Sequence, residues 1–486
     1  MSLARLRSAP SIVLLALALV ACGSTVPAET RAALVASGED GGIPGFDPPQ
    51  GPSSPSPGAP GPGGALPPGG SGRSAPPGSS VPGRVTADRS PLKLGLIYVN
   101  NDAASSVGIS NGNNFTIRRV LDALVTTFNA RGGLANRRIT PVYVEVRSSS
   151  SSYDADIQAA CTTFVHDEKV HAVISALGLA SEQLARCLTE AGIPRVISEY
   201  ALGDERLVAE APYVIAPSTL TSDHRETALL EQFTSTGWLR GSHTIGVVVE
   251  GCPVGNRTYD NTVVPVARRL GLHIEKFETE CLQGIQDVSA LASDMQSAVL
   301  RFNTRGVDRV RFVSESSEGN LMFLFSNAAE SQDYRPGYAL SSLVSAAVQI
   351  QNSPHAQLAN ARGVGWLPSI DTGSRTGTDA EAQCFADFQE SGGPEPVTAS
   401  DYYYVGAICD SFRLLDVVLT STRGSANALH VVGAVARLGT SYLSAATLQG
   451  ATDFRAGRRG GAARAREFVW DGSCTCFTYS GSSFQL

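Results

Sequence analysis

The sequence predicts an α/β protein of two doubly wound parallel-sheet lobes. Three observations carry this. Short apolar runs of strand length alternate with helical patterns of roughly 10–18 residues, the signature of βαβ units. The alternation runs through two successive series. And the chain, 486 residues long and 42% hydrophobic, exceeds the ~250–300 residues at which one core stops growing.

The first series opens at Leu92–Val99, an apolar run of strand length. Ile117, Val120, Leu121, Leu124, Val125 and Phe128 then share one face at helical spacing. Gly132-Gly133 stops that helix, glycine being suited to the left-handed position past a helix end. Strand 140–146, helix 153–167, strand 172–177, a helix near 182–191 and strand 194–198 follow. The second series has helix 223–236, strand 244–250, helix 259–270, strand 273–280, helix 286–304 and strand 309–313. Helix 319–330 and strands 337–342 and 363–367 come next. Helices near 400–421 and 426–438 and a late strand pair, Arg466–Trp470 with Cys476–Tyr479, complete the pattern.

The N-terminal segment reads differently. Arg5 and Arg7 precede an apolar run from Ile12 to Ala21, about half of the ~20 residues a membrane span needs. A short run with a positive flank reads as an export signal. Its end, Leu19-Val20-Ala21-Cys22, resembles the lipobox of bacterial lipoproteins, which implies lipidation of Cys22 and a lipid-anchored place on the extracytoplasmic face of the cell membrane. From about Gly38 to Arg84 most residues are Pro, Gly or Ser. Such a segment buries too little apolar surface to offset its ordering entropy and reads as a disordered spacer. The expected division is a leader at 1–21, a tether at 22–88, a first lobe at 89–218 plus about 370–440, and a second lobe at 219–369 plus about 441–486.

Charge and cysteine usage narrow the class. The formal net charge is −7 with 17% charged residues, unlike the basic footprint of a nucleic-acid binder. With Cys22 set aside, eight of the nine cysteines remain, an even number that suits disulfides in an oxidising compartment. Cys161 and Cys187 fall on successive helices, and Cys252 and Cys281 follow or end neighbouring strands, so Cys161–Cys187 and Cys252–Cys281 are expected. The last four allow three connectivities, of which Cys384–Cys409 with Cys474–Cys476 is favoured. No CxxC pair, GxSxG, HExxH or P-loop occurs, and the seven histidines are scattered, so no metal, cofactor or catalytic constellation is expected. Arg455, Arg458, Arg459, Arg464 and Arg466 read as a solvated loop or a contact to lipid headgroups or a permease.

Three segments in order resemble the type I periplasmic binding proteins, the group containing the Leu/Ile/Val receptors of ABC importers. Phe128-Asn-Ala-Arg-Gly-Gly-Leu-Ala-Asn-Arg-Arg-Ile139 resembles that family's first helix end and second strand. Arg147–Ile174 resembles its acidic turn, helix and strand, and Glu190–Ser198 its Gly-Ile-Pro strand entry. The likeness spans about residues 92–440. It implies two lobes joined by a hinge, no enzymatic activity, a small-molecule ligand in the interlobe cleft, a permease partner and a monomer.

In open α/β sheets ligands sit beyond the carboxyl ends of strands. The loop Leu177-Gly-Leu-Ala-Ser181 opens a helix whose N–H groups and dipole favour an anion such as a carboxylate. Gly178 permits close approach, Leu179 beside it is a candidate ligand contact, and Ser181 caps the helix or bonds the ligand. Ser198 and Tyr200 lie in the neighbouring loop; Asn101, Asp102 and Ser105 follow the first strand. The resemblance places Tyr259 over the ligand. Leu202 stands where a ligand-bonding hydroxyl is common, and Ser342 where an acidic partner for an ammonium is common, with Glu315 or Glu318 as substitutes. The expected function is capture of an amino acid or related carboxylate for an ABC importer; the alternative is a sensor or protein-binding scaffold with the same fold.

Overall fold

A computed structural model describes residues 87–100, 114–147, 150, 152–176, 181–198, 202–241, 243–282, 284, 287–315, 318–368 and 377–486. All lie within one compact unit, Pro82–Leu486. The leader, Cys22 and the tether through residue 86 lie outside the described residues, as do Asn101, Asp102, Ser105, Gly178, Leu179 and Tyr200.

The first lobe is built on β1 (Leu92–Asn100), β2 (Ile139–Arg147), β3 (Ala172–Ala176), β4 (Arg195–Ile197) and β5 (Val214–Ile215). They form a parallel sheet ordered β2-β1-β3-β4-β5. Helix α1 (Ile117–Ala130) covers one face; α2 (Tyr153–Thr162), with a π turn at Thr163–Asp167, and α3 (Glu182–Glu190) cover the other. A short helix α4 (Glu205–Glu210) joins β4 to β5. Burial on both faces explains why β1 and β3 read as unbroken apolar runs.

The second lobe starts with α5 (Ser222–Ser235) and β6 (Thr244–Glu250). Then come α6 (Pro253–Thr258), a π turn (Tyr259–Val263), α7 (Val264–Leu270), β7 (His273–Thr279), α8 (Val288–Thr304), β8 (Arg309–Val313), α9 (Glu318–Ser331) and β9 (Gly337–Ser341). Two short helices, α10 (Ala346–Asn352) and α11 (His355–Leu358), precede β10 (Ala361–Gly365). The chain returns to the first lobe as α12 (Asp379–Glu390), α13 (Ala399–Ser421) and α14 (Ala428–Leu438), which join the core beside α1. That core also takes in Tyr442, Ala445 and Phe454, past residue 440. The hairpin β11 (Arg464–Asp471) and β12 (Cys476–Gln485) then adds antiparallel to β10. The second sheet runs β12-β11-β10-β9-β8-β6-β7. Its five parallel strands repeat the 2-1-3-4-5 order of the first sheet, the doubly wound arrangement with a switch point beside the first strand of each series.

Several elements depart from the sequence expectation, each for a physical reason. The helix expected at 259–270 begins at Pro253, an N1 residue that lacks the donor a helix start leaves unpaired, and a π turn interrupts it at Tyr259. Helix α12 was not expected. Its inward face mixes Ala380, Cys384 and Phe388 with buried Glu381 and Asp387, which dilutes the apolar period. The shortest elements, α4, α10, α11 and β5, are too brief to show any period. Strand β10 sits two residues earlier than expected, and Trp366 leaves the sheet to donate its indole N–H to the Ser218 carbonyl at 3.1 Å.

Four disulfides close: Cys161–Cys187 between α2 and the facing α3, Cys252–Cys281, Cys384–Cys409 between α12 and α13, and Cys474–Cys476 in the final hairpin. Their Cα separations are 6.3, 4.6, 5.7 and 5.2 Å, within the span a disulfide bridges.

The Phe128–Ile139 motif turns out to be a turn lock. The Asn129 amide donates to the Ile139 carbonyl at 3.0 Å and accepts from its N–H at 2.7 Å, tying the end of α1 to the start of β2. Arg137 is fully buried and donates to the carbonyls of Ser90 (2.8 Å) and Gly424 (2.5 Å). Gly133 sits at φ +85, and a Cβ there would lie 1.9 Å from the Arg137 carbonyl oxygen. Gly192 has φ +67 with nothing within 4 Å of a Cβ. Gly133→Ala is therefore expected to cost clearly more than the ~1–2 kcal/mol of a left-handed non-glycine residue, and Gly192→Ala only about that much. Urea unfolding midpoints compare them; equal losses would remove the lock from the account.

Candidate functional site

The strand-end rule points to the loops after β3 and β4 in the first lobe and after β6 and β8 in the second. Described residues flanking those loops come together. Arg257, on α6, reaches across to the first lobe. Its Nε donates to Asp204 Oδ2 at 2.6 Å and its Nη2 to Asp204 Oδ1 at 3.0 Å, and Nη2 also pairs with Glu182. Asp204 is the N-cap of α4, accepting the Leu207 N–H at 3.0 Å. Glu182 is the first residue of α3, where the helix dipole favours a negative charge. Helix α6 approaches the β6 end closely because of Gly255: a Cβ there would lie 2.4 Å from the Glu250 carbonyl oxygen.

Glu315 follows β8 by two residues and is half-buried among these groups. Burial first, then the carboxylates of Glu182, Glu250 and Asp204, push it up from 4.5 to about 8, against the pull of Arg195. Its loop is held from below: Arg225 Nη2 donates to the Ser314 carbonyl at 2.7 Å. Arg195 is itself fixed by a 2.6 Å bond from its Nε to Ser175 Oγ. The group thus sets four carboxyls, Glu182, Asp204, Glu250 and Glu315, against three guanidiniums, Arg195, Arg257 and Arg186, the last paired with Glu182 at 3.1 Å. Such a place attracts a cation and disfavours a lone anion.

The remaining expected residues that the structure describes are engaged in the fold itself. Ser181 caps α3 by accepting the Leu184 N–H at 3.2 Å. Ser198 is buried and donates to the Ser175 carbonyl at 2.6 Å. Ser342 is buried and accepts the Trp366 N–H at 2.9 Å. Tyr259 is 8% exposed and packs in the second-lobe core, with Lys276 of β7 4.7 Å from its ring centroid. Glu318 is fully buried, pairing with Arg311 at 2.7 Å and accepting from Ser341 Oγ at 2.6 Å. Leu202 is buried against Ile197, Leu207 and Val214. Glu315 alone of the described candidates faces the interlobe group. Glu182, Asp204, Glu250 and Arg257 were not expected there. Two of them carried a signal, a charged residue ending an apolar strand at Glu250 and one just after the cap Ser181 at Glu182.

No model of a known protein family matches the sequence, and no curated protein matches it. Solved structures match it in fold. A branched-chain amino acid ABC transporter protein from Thermus thermophilus with bound valine superposes at TM-score 0.61 and 16% identity, over 82% of this chain and 97% of its own. A solute-binding protein of an ABC transporter from Rhodopseudomonas palustris HaA2, in complex with p-hydroxybenzoic acid, gives 0.60 at 13% identity, over 82% and 97%. An ABC transporter substrate-binding protein from Desulfitobacterium hafniense in complex with Leu gives 0.54 at 16%, over 80% and 100%. The chain has the type I periplasmic binding protein fold. Glu182 follows β3 and Glu315 follows β8, the third strand of each series, next to the switch point of its sheet. These neighbours are substrate-binding proteins rather than enzymes.

Glu315 takes up a proton on folding anywhere between its ordinary 4.5 and about 8. Below that window both states are protonated and nothing changes; as pH rises through it, ionising Glu315 destabilises the folded state. Glu315→Gln should therefore gain thermal stability relative to wild type from pH 5 to pH 8.5. A melting-temperature difference that stays constant over that range would show that Glu315 is not held in this environment.

Proposed function

We propose that this chain is the solute-binding component of an ABC importer, held outside the membrane by a lipid on Cys22, and that it captures a small amine-bearing solute, an amino acid or close relative, between its lobes. The observation that carries the amine is the excess of carboxyls around Glu315. An ammonium placed there meets Glu315 and Glu250 and repays the cost of crowding those charges. The solute's own carboxylate has a natural place at the first turn of α3, beside Ser181, where the helix dipole favours an anion. The fold neighbours with bound valine and leucine support this class. A benzoate without an amine, as in the Rhodopseudomonas neighbour, leaves the carboxyl excess uncompensated.

Closure of the two lobes on the ligand is the motion that would signal occupancy to a permease. Arg257 serves that motion, since its partners Asp204 and Glu182 belong to the other lobe.

Thermal-shift and calorimetric titration against amino acids, small amines and benzoates tests the ligand class. An amine-bearing solute at 100 times its Kd should stabilise the chain by ~2.7 kcal/mol, and Glu315→Gln should weaken it by about tenfold or more. Binding of benzoates alone, unaffected by that change, would sink the proposal. Arg257→Ala leaves Asp204 and Glu182 without their shared cation. It should speed ligand release several-fold with little change in association, as stopped-flow fluorescence can measure; unchanged release would remove Arg257 from the closing interaction.

A further inference from the structure

A cavity of about 310 Å³ is lined by none of the residues grouped around Glu315. Its walls come from three places: α4 of the first lobe (Glu205, Val208), the start of α5 of the second lobe (Thr221, His224), and the crossover segment Gly457–Gly460. That crossover is knitted to the other one beside it. The Ala216 N–H donates to the Arg459 carbonyl and the Gly461 N–H to the Ala216 carbonyl, both at 2.8 Å. The cavity therefore sits at the hinge and touches both lobes.

Its lining is mainly basic. Arg458 and Arg459 both line it, with His224. Arg459 Nε donates to the Pro212 carbonyl and Nη1 to the Gly457 carbonyl, each at 3.0 Å. Among the described residues no carboxylate lies within ion-pair distance of Arg459. Arg458 has only a long 3.6 Å contact to Asp453, whose carboxylate Arg455 already holds at 2.9 Å. Burial, and then Arg458, hold His224 below the ordinary imidazole range, against a weaker pull from Glu231. The lining carboxylate, Glu205, accepts the Thr221 hydroxyl at 2.6 Å and is drawn to that wall. A half-buried guanidinium bonded only to neutral carbonyls, as Arg459 is, keeps its remaining donors and its charge for a ligand.

We propose that this hinge cavity binds a small oxyanion, of the phosphate or sulfate class, through Arg459, Arg458 and His224. A guanidinium fork matches tetrahedral oxyanions with charge-assisted bonds. Because the cavity is walled by α4, α5 and the crossover together, its shape and the ligand's affinity depend on the angle between the lobes. Oxyanion and cleft solute then influence one another's binding by equal factors.

The probe is inorganic phosphate, titrated into the full chain at constant ionic strength with chloride as the reference anion. Saturable binding by calorimetry is expected, weakened at least ~10-fold in Arg459→Gln and also weakened in His224→Ala. In the wild-type chain, phosphate should protect Arg459 from phenylglyoxal, read by peptide mass spectrometry; this arm needs no variant to fold. Absence of saturable binding beyond chloride overturns the proposal, as does phosphate binding that leaves Arg459 equally reactive. Binding of amine-bearing solutes is measured separately, so the two sites succeed or fail independently.

Discussion

The second lobe is organised around one buried guanidinium. Arg311, on β8, has no exposure and lies between Glu226 of α5 and Glu318 of α9, at 2.6 and 2.7 Å. It also donates to the Ala339 carbonyl of β9 at 3.1 Å, and Glu318 accepts the Ser341 N–H at 2.8 Å. Burial works against the charge on Glu226, yet Arg311 and then Arg225 outweigh it and hold the carboxyl below its usual range. A fully satisfied buried network of this kind fixes geometry, and breaking one member leaves an uncompensated charge costing ~3–5 kcal/mol. The same network sets the candidate site. Arg225 pairs with Glu226 and holds the Ser314 carbonyl, one residue before Glu315.

Stiffness and motion are distributed to match. Cys161–Cys187 and Cys384–Cys409 close within the first lobe, Cys252–Cys281 and Cys474–Cys476 within the second. Loops of 25 to 29 residues correspond to about 3 kcal/mol each of unfolded-state restriction in the chain-entropy account. The bridges hold each lobe as a body. Between lobes the contacts include Arg257 on one side and the paired crossovers at Ala216 and Gly460 on the other, with Tyr403 of α13 packing against the cores of both lobes. Motion concentrates where short segments can absorb backbone change.

The site and the hinge cavity have opposite electrostatic characters. Around Glu315 carboxyls outnumber guanidiniums; in the hinge cavity Arg458, Arg459 and His224 outnumber the lining carboxylate, Glu205. A chain with a small net charge has arranged it locally into one acidic group and one mainly basic cavity, and residues of both lobes contribute to each.

The sequence by itself determined the elements whose signal is local. Strand β8 at 309–313, helix α1 and the alternation of both series follow from apolar runs and helical spacing, which need only neighbouring residues. Paired cysteines on adjacent elements were legible for the same reason. Tertiary structure decided the rest. Ser198, Ser342 and Tyr259 look like ligand contacts in a row of letters, yet packing gives their polar groups or rings to the fold. Glu182, Asp204, Arg257 and Glu315 are far apart in the chain, and no short-range pattern links them. Only the facing of two sheet ends brings four carboxyls to one place, and the cost of crowding their charge is what gives that place its chemistry.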